Sequence, residues 1–340
     1  MSSIGKDITP EGSASFRKIA ALSGKSANVT ELALSSWAKS TKASYSTYIK
    51  YFVEYCKVNH IIDPYNATFD QGLEFIAQLH NVFNYPFGSC AIARSALSAI
   101  LPLSNGITFG KDPIVSKVMK GIFRASPSLP KCTVIWDPAI VLNYINSLPP
   151  NSQLMLETLT KKLCFLLALL SGQRSQSIGS LRLTHYYIDD TKVVFYIPTI
   201  LKTTRPGFHQ APLEFRAFTN NVNWCPVKCF LEYKTRTELI RENSSPDDHT
   251  LFISYAQPYK PVKSATLARY IKTFLADAGI DVTVFTAHST RKASTSLANN
   301  LGLSVKDLIK AAGWTNIHTF QRFYNLPVKM NFGDIILSQS

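Results

Sequence analysis

The sequence predicts a mainly α protein with a small β-sheet, in which an all-helical N-terminal unit precedes a mixed α/β C-terminal unit. Three observations carry that expectation. Apolar residues recur at three- and four-residue steps through most of the chain, the period of a helix with one buried face. Only Val193–Ile197 and Ala211–Phe215 read as strands, joined through the turn-prone stretch Lys202 to Gly207. The segment Ser126 to Thr133 carries two prolines in its first five residues and suits neither helix nor strand.

Residues 1–24 are rich in Ser, Gly and Lys and are expected to form a flexible arm. A helical unit follows over residues 25–125. The pattern turns helical from Asn28, and Trp37, Tyr45, Tyr48, Ile49, Phe52, Val53 and Cys56 mark an amphipathic helix opened by Ser40-Thr41. Further helices are expected over Asp70–Phe83, Ser89–Leu101 and Ile114–Phe123. Residues 126–134 read as an interdomain linker, and residues 135–340 as the second unit. Its helices are expected over Pro138–Ile145, Gln153–Leu170, Pro226–Leu239, Ser264–Ala278, His288–Asn299, Val305–Ala312 and about Ile317–Tyr324.

Composition narrows the function. Hydrophobic residues make up 46% of the 340, enough for real cores, which excludes global disorder. The apolar run Leu163 to Leu170 has eight residues, far short of the roughly 20 that span a bilayer. The first residues lack the apolar core of a secretory signal, and Ser2 stands where myristoylation needs Gly. Six scattered cysteines fit reduced thiols inside a cell better than a disulfide framework. The formal net charge is +14, with +5 before residue 131 and +9 from residue 131 onward. Two basic units suit closure on one nucleic acid, although a merely basic soluble protein has the same composition.

The chemistry concentrates near the C-terminus. His288 and Arg291 stand at i and i+3, so an imidazole and a guanidinium share a helix face and suit a phosphate. A solvated helix face has the same spacing. Ser304 and Asp307 start the next helix in the manner of a capping box, Gly313 can end it, and Trp314 follows. Ile317, Phe320 and Tyr324 lie at i, i+3 and i+7, which turns the phenol inward, as it would a core tyrosine. Upstream, Arg174 follows Gly172 at the end of a buried apolar helix, where an unused charge is costly. Lys202 lies 28 residues later. Cys225 and Cys229, with His209 or His249, have loose spacing for a metal and read as buried thiols at a helix start.

Arg174, Lys202, His288-x-x-Arg291, Trp314 and Tyr324, in that order and spacing, resemble the tyrosine recombinase (phage integrase) family. The wording Ser-Gly-Gln-Arg-Ser-Gln-Ser, Trp224-Cys-Pro-Val227 and Gly313-Trp…Arg322-Phe-Tyr-Asn325 looks most like eukaryotic members, including those of DIRS-type mobile elements. The resemblance covers the chain from about Leu32 to Tyr324. It implies a helical core-binding (SAM-like) domain over 25–125 and a tyrosine-recombinase catalytic domain over 135–340. It also implies a DNA strand transferase working through a 3′-phosphotyrosyl intermediate. Arg174 and Arg291 would clamp the scissile phosphate, and His288 would assist proton transfer from the nucleophile Tyr324. Trp314 would donate its indole N–H or pack the pocket, and Lys202 would act as general acid. Two arginines and a lysine supply positive charge, so neither metal nor cofactor is expected.

The family usually places an acid three positions after the first arginine; here that residue is Ser177. Lys39, Thr41 and Lys42 on the first long helix, Arg94 on a later one, and Arg205 in the turn-prone stretch are candidate DNA contacts, and a solvated face reads the same way. The expected partner is double-stranded DNA, with monomers when free, a homotetramer on paired sites, and no membrane. The expected location is intracellular, the nucleus if the source is eukaryotic. A type IB topoisomerase-like enzyme and a non-catalytic DNA-binding protein share parts of this pattern.

Overall fold

The structure is a computed structural model that describes residues 26–127, 135–202, 204, 206–207, 209–242 and 249–314. The chain divides into two compact units at the 130/131 boundary. The first is all helical among its described residues: α1 (Ala27–Ser35), α2 (Lys39–Val58), α3 (Phe69–Asn81), α4 (Phe87–Ile100) and α5 (Pro113–Ala125). Local chemistry sets the starts. Thr68 and Gln71 form a reciprocal capping box for α3, and Asp112 accepts from the backbone N–H groups of Ile114 and Val115 ahead of α5, with Pro113 in its first turn. Phe52, Ile76, Leu97 and Phe109 are fully buried at the centre of this unit. Helix ends differ from the sequence expectation by one or two residues, the usual fraying at termini.

The second unit contains α6 (Pro138–Ser147), α7 (Leu156–Ser171), α8 (Ser175–Gly179), β1 (Tyr186–Ile188), β2 (Lys192–Phe195), β3 (Leu213–Arg216), α9 (Pro226–Glu242), α10 (Ser264–Asp277), α11 (Ala287–Asn300) and α12 (Val305–Ala312). Helix α7 is its spine. Every residue from Leu159 to Leu169 is buried, because α9, α10 and α11 pack around it. Lys162, wholly buried in this helix, donates to Asn151 Oδ1 at 2.7 Å, and burial holds its ammonium below the usual lysine range. The sheet is antiparallel in the order β1-β2-β3, and Val193 and Phe195 face Phe215 and Leu213 across it. Those four side chains are buried, and Phe195 packs edge-on against Phe230 of α9.

Three expectations need correction in detail. The sheet has a third strand, β1, whose pairing of Tyr186 with Phe195 has no local signal. The helix expected from Gln153 starts at Leu156 instead. Asn151–Gln153 form a 3₁₀ turn, and Arg236 draws the carbonyls of Ser152 and Leu154 towards itself and away from a helical ladder. The short helix α8 was not expected. Cys225 and Cys229 are buried and free of disulfides, and burial pushes the Cys229 thiol up to about 12. No helix among the described residues is long and apolar enough to cross a membrane.

Candidate active site

The site is built at the end of α7. Gly172 closes that helix at φ +59°, a left-handed conformation that other side chains rarely adopt. A Cβ there would also meet Thr295 Cγ2 at 3.1 Å. Each of the three residues 172–174 then serves a different partner. The Gly172 carbonyl accepts from Arg291 Nη1 at 2.7 Å. Gln173, 4% exposed, donates through Nε2 to the Ala311 carbonyl at 2.9 Å, satisfying a C-terminal carbonyl that α12 leaves open. Arg174 becomes the residue that precedes α8 and lines an open cavity.

Helix α11 supplies the opposite wall. Its start is fixed by Trp136, whose Nε1–H donates to Ser289 Oγ at 2.9 Å, while that hydroxyl donates to the Thr286 carbonyl at 2.6 Å. One turn later, Ser294 Oγ donates to the Leu169 carbonyl and Thr295 Oγ1 to the Arg291 carbonyl, tying α11 to α7 and to itself. Arg291 is therefore held at its backbone carbonyl and at its guanidinium, and only 1% of it is exposed. Its guanidinium carbon lies 4.1 Å from the centroid of the Trp314 ring, a cation–π contact in a desolvated setting. Trp314 is itself placed by the left-handed Gly313, which ends α12 at φ +66°. The carboxamide of Gln210, from the β2–β3 connection, fills the space that a side chain at 313 would take.

The cavity holds about 480 Å³, and Gln173, Arg174, Arg269, Lys272, His288 and Arg291 are among its lining residues. Among the described residues, no Asp or Glu lines it. His288 stands at its rim with its pKa lowered, first by lost solvation and then by Arg291, Arg174 and Lys292. Its surroundings thus favour the neutral form of the imidazole over the protonated one. Because the folded state disfavours the proton, stability falls as pH drops from about 6.5 into the lowered range. A reaction step that uses this ring as a base would rise with pH over the same window and then level off. His288→Gln should flatten that limb in single-turnover rates measured from pH 5 to 8.

Three of the expected site residues, Arg174, His288 and Arg291, thus meet around one cavity, with Trp314 stacked behind Arg291. Lys202 does not line it. It is exposed on the β2–β3 connection, next to buried Leu201, whose backbone exchanges two 3.0 Å hydrogen bonds with Thr204. Tyr324 and Arg205 lie outside the described residues. Lys39, Thr41 and Lys42 occupy the first turn of α2 in the other unit, Lys39 exposed and the other two half-buried; Arg94 is half-buried on α4. Ser177 is buried, and its carbonyl accepts from Ser180 Oγ at 2.7 Å. Sequence reasoning missed Arg269, Lys272 and the bracing roles of Trp136 and Gln173. The i, i+3 spacing of Arg269 and Lys272 was the available signal for that pair.

Comparison with known proteins decides the class. The phage integrase family model matches residues 144–329, more than half of the chain. The chain belongs to the phage integrase family. It is therefore an enzyme, a site-specific recombinase. Solved structures of recombinases share the integrase fold at low identity. The XerH site-specific recombinase bound to difH substrate superimposes with a TM-score of 0.55 at 12% identity, covering 88% of this chain and 80% of that one. A lambda integrase dimer bound to a COC′ core site gives 0.52 at 14%, covering 95% and 98%. The Tn1549 transposon integrase in complex with circular intermediate DNA gives 0.51 at 12%, covering 97% and 99%. A search of curated proteins by sequence finds no significant match.

Proposed function

We propose that this recombinase cleaves and rejoins duplex DNA through a covalent link to Tyr324, with Arg174, Arg291 and His288 activating the scissile phosphate. One observation carries the reading: the guanidiniums of Arg174 and Arg291 and the imidazole of His288 line one cavity, which among the described residues has no carboxylate in its lining. Such a cavity suits a phosphodiester, which carries one negative charge and several acceptor oxygens. Tyr324 Oη attacks the phosphorus, a new P–O bond forms, and the bond to the 5′ oxygen breaks. The phenolic proton passes to His288, and Lys202 gives a proton to the departing 5′ oxygen. Arg174 and Arg291 stabilise the charge that builds on the pentacoordinate phosphorus. Rejoining runs the same steps in reverse, so bond energy is conserved.

The helical unit before residue 131 acts as the core-binding domain in this reading, with Lys39, Thr41, Lys42 and Arg94 as its DNA contacts and Arg205 as one from the catalytic domain. The motif wording around Gln173, Trp224 and Tyr324 supports an affinity with eukaryotic members, including those of DIRS-type mobile elements, and hence work in a nucleus. The deciding experiment is incubation with a suicide duplex followed by a denaturing gel. A protein–DNA band that survives denaturation is expected; a shift on a native gel without such a band overturns the reading.

Two further outcomes follow from it. Lys202→Ala should slow cleavage by about 10²–10⁴ while binding holds, and a 5′-phosphorothiolate substrate should restore the rate, because a thiolate leaves without a proton. A large defect without rescue would make Lys202 a phosphate-positioning residue. The segment after the nucleophile also has a role. In the sequence Phe332, Ile335, Ile336 and Leu337 place four large apolar residues within six positions, which suits docking on another surface. Docking on the next subunit is a head-to-tail contact, which closes a ring when the rotation permits. Four chains would assemble on paired sites this way, each monomeric when free. Truncation after Pro327 should leave single-site binding intact and abolish synapsis; unimpaired strand exchange would show that the segment docks within its own chain.

A further inference from the structure

Helix α10 (Ser264–Asp277) forms one wall of the cavity, and it carries two cations that no step above uses. Arg269 and Lys272 both line the cavity and both are exposed. They stand at i and i+3, so they share a helix face. That face continues with exposed Ala265 on one side and exposed Ala276 on the other. Small side chains thus flank the charge pair, and a polyanion can come close to the helix without displacing bulk. The opposite face is anchored by buried Leu267, Tyr270, Ile271, Phe274 and Leu275, which fixes where the two cations stand. The helix has one acid, Asp277, which lies 3.9 Å from Lys161 Nζ of α7.

The charge on the cavity exceeds what one phosphate needs. Arg174, Arg291, Arg269 and Lys272 place four formal positive charges on one cavity, against one negative charge per phosphodiester. We propose that Arg269 and Lys272 form a second phosphate subsite, which holds a phosphodiester neighbouring the attacked one on the same strand. They act as positioning residues, setting the register of the strand so that the attacked phosphorus falls between Arg174 and Arg291. This subsite rests on the recombinase reading given above.

The test uses the full chain and a suicide duplex built on the sequence that the protein selects from a random pool. Single methylphosphonates, each removing one phosphate charge, are placed in turn on either side of the cleaved position. Arg269→Ala and Lys272→Ala should each weaken binding about tenfold, the size of one charge-assisted hydrogen bond, with melting temperature unchanged. Each should also make the salt slope of binding shallower by about 1. At one flanking position, the methylphosphonate should cost the wild type heavily and the double variant nothing more. That loss of additivity is a readout that a purely structural role would not move. Equal cost to both proteins at every position overturns the proposal. So does a variant that changes which base pairs are selected while its phosphate dependence stays the same, since the side chains would then read base edges. If the wild type yields no covalent adduct on any duplex, the recombinase reading fails instead, and equilibrium binding to the same duplexes still judges the subsite.

Discussion

Tyr324→Phe should abolish the covalent protein–DNA adduct and leave affinity for uncleaved duplex unchanged. The substitution removes one hydroxyl and keeps the ring, so packing and charge stay as they were. A phenol of pKa about 10 attacks phosphorus only when its proton has a destination and the phosphate's charge is neutralised. In the proposed mechanism both come from the cavity, with His288 to take the proton and Arg174 and Arg291 to meet the phosphate's charge. Among the described residues the lining holds neither a phenol nor a thiol, and its hydroxyls are those of Ser175 and Thr286. A denaturing gel reads the result directly, and a filter-binding or anisotropy titration checks affinity. An undiminished adduct in the variant would move the nucleophile elsewhere, with Tyr255, Tyr259 and Tyr270 as the nearest candidates.

Arg291→Lys should be the most damaging single change among the described residues. Lysine keeps the charge but loses the planar fork, so it cannot hold the Gly172 carbonyl and a phosphate oxygen together. It also loses the flat cation that lies 4.1 Å from the Trp314 ring centroid. Removing one transition-state donor of this kind lowers rates by about 10²–10³. The unpaired Gly172 carbonyl should cost folding a further 1–3 kcal/mol or so, enough to see by denaturant titration. Single-turnover cleavage at saturating enzyme separates the two effects. A variant that is destabilised yet cleaves at the wild-type rate would make Arg291 a strut of the fold alone.

The parts that were legible from sequence are those whose signal is local. The i, i+3 spacing of His288 and Arg291, Ser304 at the start of α12 and Gly313 at its end all follow from short-range rules, and in the structure they sit on or beside the site. The mainly helical class was legible for the same reason, since periodicity is a local property. Strand β1 was not, because three residues with partial burial acquire meaning only through pairing with β2. Gln173 was quoted in the motif without a role, since its partner Ala311 is 138 residues away. Arg269 and Lys272 look like any solvated pair until the fold sets α10 beside α11. Trp136 is similar: its bond to Ser289 spans 153 residues.

The stacking of Trp314 on Arg291 gives the enzyme an optical reporter of its own occupancy. Indole emission depends on the charge beside the ring, and a ligand phosphate on Arg291 would change that charge without touching the tryptophan. Of the four tryptophans, Trp136 and Trp314 brace the α11 wall, whereas Trp37 packs on Tyr45 and Trp224 stacks on Phe218. A chain with Trp37→Phe and Trp224→Phe would keep only the two indoles at the site. Stopped-flow emission from that chain could time the arrival of DNA, and a second signal change the moment of bond breakage, with no dye attached to protein or nucleic acid.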